Sequence, residues 1–100
     1  MILSVKLKNE LKKICDGMNL EFKLKNISVN GQKRGCSGFI KNEDNGKILY
    51  INTESSCYSP LSNKTMFRYA NDFNDFSGKG GYNQWANNED LFSELKKALM

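Results

Sequence analysis

Asp72 and Asp75, with Glu54 at a strand end, are the carboxylates whose positions invite general acid–base or Mg²⁺ chemistry, and Cys15, Cys36 and Cys57 are the thiols able to ligate a soft metal. The sequence contains no histidine. That removes Ser-His-Asp and Cys-His nucleophilic sites and the commonest metal ligand. The cysteines are odd in number, widely spaced and without a CxxC pair, so they read as small apolar residues of a reduced chain. A three-residue spacing between aspartates in an Asn-rich stretch reads as turn chemistry. Ser77-Gly78-Lys79-Gly80-Gly81 lacks both the hydroxyl after the lysine and the strand–helix setting of a phosphate-binding loop. What remains there is a run of open backbone N–H groups suited to a phosphate or a carboxylate. The expectation is therefore no catalytic residue, no metal, no cofactor, and a function in binding.

Composition narrows the class. Length and 39% apolar content fit one domain spanning residues 1–100. The longest apolar run, Ile48-Leu49-Tyr50-Ile51, is far too short to span a bilayer. The opening residues have no basic segment of the kind that starts a signal peptide, so a cytoplasmic chain is expected. Thirteen lysines against two arginines, and thirteen asparagines with one proline, are the usage of an AT-rich bacterial, phage or plasmid genome. The net charge of +4 is uneven: residues 1–41 carry nine Lys/Arg and three acids, residues 42–100 carry six and eight. A basic half beside a mildly acidic half excludes a nucleic-acid mimic, which needs dense negative charge.

The elements follow from periodicity. Leu7, Leu11, Ile14, Cys15 and Met18 form one helical stripe, predicting a helix over about 5–17 with Ser4 as N-cap and Gly17 as terminator. Leu20, Phe22 and Leu24 alternate with polar residues as a half-buried strand. Ile27 and Val29 are out of phase with it, which places a bulge near Lys25-Asn26. Asn30-Gly31 signals a type I′ hairpin. A second strand covers 33–41, where Gly35 and Gly38 mark a bulge or the close approach of another backbone. A turn at 43–46 leads to a third strand over 47–53, and 66–70 reads as a short fourth. The rest of 54–87 reads as a long ordered loop pinned by its aromatics. Asn87 or Asn88 then caps a last helix with the stripe Leu91, Phe92, Leu95, Ala98 and Leu99. The predicted fold is α+β: an N-terminal helix, a three- to four-stranded antiparallel meander, an aromatic-rich loop and a C-terminal helix, both helices on one face.

Two binding surfaces are candidates. Arg68, Tyr69, Tyr82 and Trp85, with Lys79 in the glycine-bearing loop, are of the types that anchor protein interfaces. Phe67, Phe73 and Phe76 read instead as cover for the sheet's open face. In the basic half, Lys8, Lys12, Lys13, Lys23, Lys25, Lys33 and Arg34 are placed to follow a phosphate backbone, with Lys8, Lys12, Lys13, Lys33 and Arg34 the leading candidates. The element order is similar to the double-stranded-RNA-binding domain. The last helix, however, opens on Asn88-Glu89-Asp90, where that family needs basic residues.

Gly81-Tyr82-Asn83-Gln84, then Asn88-Glu89-Asp90 and Phe92, resembles the late segment of phage inhibitors of type II-A Cas9, the anti-CRISPR proteins. The likeness covers about 12 residues. Those inhibitors are acidic and this chain is basic, so their mechanism does not transfer. What the resemblance implies is a class: a small phage or mobile-element protein that binds a host defence protein stoichiometrically, its expected partner a CRISPR–Cas effector or its guide complex.

Overall fold

In a computed structural model, which describes residues 2–54 and 64–100, the chain runs α1 (Ser4–Ile14), β1 (Leu20–Val29), β2 (Gln32–Asn42), β3 (Ile48–Asn52), β4 (Lys64–Ala70), β5 (Gln84–Asn87), a 3₁₀ turn (Asn88–Asp90) and α2 (Leu91–Leu99). The strands form one antiparallel sheet in the order β1-β2-β3-β4-β5. This is the predicted α+β arrangement with one strand more than expected. Cys57 and Tyr58 lie outside the described residues.

Strand alternation sorts the side chains into two faces. Across the sheet, Phe22 pairs with Ile40, Ile40 with Leu49, and Leu49 with Tyr69, which places these four on one side. Both helices pack there. Leu7 and Leu11 of α1 and Leu91, Leu95 and Leu99 of α2 join Cys36, Ile40, Leu49, Ile51 and Phe67 in one core, each of them 4% exposed or less. Burying each large apolar side chain contributes about 1.5–3 kcal/mol. The stripes read from the sequence are therefore the residues that hold the two layers together.

The ends of the helices are secured differently from the sequence expectation. Ser4 is the first residue of α1, and no side chain caps it from within the helix. Its N–H donates to Asn26 Oδ1 of β1 at 2.9 Å. The helix stops at Ile14, and Gly17 follows in the left-handed region at φ +88°. At α2 neither Asn87 nor Asn88 acts as a side-chain cap. Asn88 Oδ1 instead accepts the Thr65 hydroxyl at 2.6 Å, tying the 3₁₀ turn to β4. The C-terminal carbonyl of α2 at Leu99 accepts from Asn42 Nδ2 at 2.8 Å and Asn45 Nδ2 at 2.9 Å, and Lys47 donates to the Met100 carbonyl. Donors and a cation thus meet the negative end of the helix dipole.

Asn30 and Gly31 both take positive φ, 52° and 77°, as a type I′ turn requires. The β1–β2 register shifts between Ile27 and Ser28, two residues beyond the predicted bulge. Gly38 has a different role. At φ +147° its missing Cβ would lie 2.0 Å from the Lys23 carbonyl oxygen and 2.8 Å from the Leu24 Cα. This is the close backbone approach that glycine in a strand signals. Gly38→Ala is expected to destabilise by about 3 kcal/mol, because backbone strain and overpacking add. Gly46→Ala, where the strain is conformational only and nothing lies within 4 Å, should cost about 1 kcal/mol. Urea denaturation of the two variants measures the difference.

Candidate functional site

Among the described residues, no helix packs on the second face of the sheet. Pairing sets two rows across it: Lys23, Phe39, Tyr50 and Arg68 in one, and Lys25, Ser37, Asn52, Met66 and Trp85 in the other. The segment 71–83 folds back over this face and covers part of it. The Phe73 ring stacks on Phe39 with centroids 5.9 Å apart. Phe76 meets Phe39 edge-on at 5.1 Å and Tyr50 at 6.1 Å. Phe39 is thereby sealed, while Phe76 itself stays 65% exposed. The predicted role of Phe73 and Phe76 as cover for the open face matches this arrangement. Phe67 differs: it sits on the opposite face, in the core between sheet and helices.

A carboxylate holds the covering segment. Asp75 accepts the N–H of Asn71 at 2.9 Å, of Lys79 at 3.1 Å and of Gly80 at 2.9 Å. The open amides of the glycine-bearing loop do meet a carboxylate, and it is the chain's own. Arg68 lies beneath, 3% exposed. Its Nη2 donates to the Asp75 carbonyl at 2.7 Å, its Nη1 stands 3.9 Å from Asp75 Oδ2, and its guanidinium lies 4.6 Å over the Tyr50 ring. Nη1 has no hydrogen-bond acceptor among the described residues. The Asn71 amide, ahead of those of Lys79 and Gly80 and the Arg68 charge, holds the Asp75 carboxyl below the ordinary aspartate range against the upward pull of burial. Gly80 lets the loop close: a Cβ there would fall 2.7 Å from the Ala70 Cα of β4. Asp72 serves the turn itself, accepting the Asn74 N–H at 2.8 Å.

The predicted anchors divide between surface and interior. Tyr82 is 93% exposed and Trp85 36% exposed, and Lys79 offers its side chain to solvent while its N–H is held by Asp75. Arg68 is internal, a strut for the loop. Tyr69 faces the helices, its hydroxyl donating to the Ala98 carbonyl at 2.9 Å and pinning α2. The predicted basic set is scattered. Lys8, Lys12 and Lys13 are exposed on α1, in the layer on the other side of the sheet, with the Lys8 ammonium 5.9 Å from the Phe22 ring. Lys33 is exposed at the β1–β2 hairpin, and Arg34 stands 4.0 Å from the buried Glu54. Lys23 and Lys25, of the same predicted set, are exposed on the open face, on the other side of the sheet from the α1 lysines. Their phase in β1, opposite to Leu20, Phe22 and Leu24, is the signal that places them there.

Among the described residues no group of three or more Cys, Asp or Glu stands close enough to hold a metal ion. Cys15 and Cys36 are buried, and burial pushes both thiols up. No helix among the described residues is long and apolar enough to cross a membrane. Compared with known proteins, the chain matches no family model, no curated protein and no solved structure.

Because the Asp75 carboxyl titrates lower when folded than when free, its contribution to loop order is complete above the ordinary aspartate value of roughly 3.9. It is lost as the pH falls through the lower folded value. Asp75→Asn should loosen the loop at neutral pH. The expected result is faster hydrogen exchange at the Lys79 and Gly80 amides with β2 and β3 still protected, read by amide NMR across an acid titration.

Proposed function

We propose that the chain works by stoichiometric binding to another protein, through the open face of its sheet and the aromatic residues around it, and that it turns nothing over. The observation that carries this reading is Phe76, 65% exposed although its segment is held by three amide–carboxylate bonds. A large apolar ring presented in a fixed position contributes contact area at little ordering cost. Tyr82 and Trp85 add two more exposed aromatics from the same stretch of chain. Such side chains are enriched among interface hot spots. The resemblance of 81–92 to anti-CRISPR proteins makes the partner a bacterial host-defence protein, with a CRISPR–Cas effector or its guide complex the first to test. Acting on such a partner places the chain in the host cytoplasm.

The purified chain is expected to co-purify with a defence component from a host lysate and to slow target cleavage by type II-A Cas9 at equimolar ratio. Trp85→Ala and Tyr82→Ala should each weaken binding about tenfold or more. Phosphodiester cleavage by the chain itself, abolished by changing Asp72 or Asp75, would overturn the reading.

A second reading has one observation behind it. Lys8 and Lys12 stand four apart and exposed on one helix, with Lys13 beside them. A cationic helix edge of that kind suits a phosphate backbone. If nucleic acid is the ligand, affinity should fall steeply with salt, and Lys12→Glu with Lys13→Glu should flatten the slope by roughly one unit for each phosphate no longer neutralised. Gel-shift titrations at several salt concentrations measure it.

A further inference from the structure

Beside Phe76, on the β1 side of the open face, lies a groove of about 380 Å³. Phe39 forms its floor, Phe76 one wall, and Lys23, Lys25 and Ser37 the other side. Lys23 and Lys25 stand on the same face of β1, two residues apart, which sets their α-carbons about 7 Å apart. Among the described residues no acid lines the groove. The nearest acid on that face of β1, Glu21, sits opposite Lys41 in the register, and Lys41 reaches Glu43 at 3.5 Å. The two groove lysines thus stand as a pair of positive charges at the rim of an apolar slot.

We infer that this groove docks a segment of a partner protein in which an apolar side chain is flanked by carboxylates. The apolar side chain packs against the exposed side of the Phe76 ring, and the carboxylates meet Lys23 and Lys25. The inference rests on the reading that the open face binds a protein, and it names the chemistry of the partner. Charge complementarity selects an acidic segment over a neutral or basic one. An apolar slot with a charged rim is the anatomy of a protein contact. A nucleic-acid track needs cations spaced along a strand; the next cation on this face, Lys41, is paired with Glu43 at 3.5 Å, and Lys8, Lys12 and Lys13 lie on α1 behind the sheet.

The test selects short random displayed peptides on the full chain. Binding of the enriched sequences is then measured by fluorescence anisotropy, beside amidated copies with every Asp and Glu changed to Asn and Gln, and beside oligo-dT and oligo-U. The expected result is enrichment of sequences carrying acids next to an aromatic or aliphatic residue. Their affinity should fall about tenfold or more on amidation, in Phe76→Ala, and in Lys23→Glu with Lys25→Glu. It should hold in the charge-matched control Lys6→Glu with Lys97→Glu. Amide NMR spectra confirm that each variant is folded. Enriched peptides that bind at the groove but are indifferent to amidation would overturn the acidic partner while leaving the protein-binding face standing. If no peptide is enriched, or only the oligonucleotides move the Phe76 and Lys23 resonances, both readings fall.

Discussion

One ionised carboxylate decides whether this protein has a finished surface. Asp75 gathers the amides of Asn71, Lys79 and Gly80 onto its two oxygens while Arg68 supports it from beneath. Backbone N–H groups in a tight loop repel one another unless an acceptor is placed among them, and a charged acceptor forms the stronger bonds. With that acceptor in place, the chain reverses after β4, lays Phe73 and Phe76 against Phe39, and returns close enough for β5 to pair with β4. Without it, Phe39 and Tyr50 would lose the rings of Phe73 and Phe76 that pack on them. The cation beneath is confined as well: Arg68 has the Tyr50 ring on one side and the loop on the other.

The two faces of the sheet consequently do different work. One is dry and continuous with the leucines of both helices, and it supplies the apolar burial on which the domain stands. Among the described residues the other is only partly closed, by a segment whose own covering ring, Phe76, remains largely in solvent. A residue that seals its neighbour while staying exposed serves the fold with one edge and leaves the remainder available to a partner. The lysines of β1 set the sign of that surface at one end, and Tyr82 and Trp85 belong to the stretch of chain at the other.

Much of the fold is legible because its signals are local. The stripe Leu7-Leu11-Cys15 sets α1, Asn30-Gly31 sets the first hairpin, and the alternation Leu20-Phe22-Leu24 sets the phase of β1. What escapes is non-local. Gln84–Asn87 is four residues long, contains one buried side chain, Ala86, and becomes a strand only because β4 lies beside it. Asn26 and Asn88 are spent on partners 22 and 23 residues away, which no capping rule reads from neighbouring sequence. The site is half legible for the same reason. Tyr82 and Trp85 stand exposed as residue type suggests. Arg68 has the chemistry of an interface anchor, yet Asp75, seven residues on, draws it inside. Lys23 and Lys25 read as the polar half of an alternating strand, and only a face left open by both helices makes them part of a surface.

The meander has a kinetic corollary. Every strand pairs with the strand next to it along the chain, so the sheet can assemble from hairpins whose closure entropy is small. The leucine seam joins opposite ends of the sequence, Leu7 and Leu11 with Leu91, Leu95 and Leu99. If the sheet pairs before α2 docks, the part of the apolar face that α2 covers, Leu49, Ile51 and Phe67 among it, waits for that helix. In that order of events the chain's exposure to aggregation would last until the nine-residue α2 closes over the sheet.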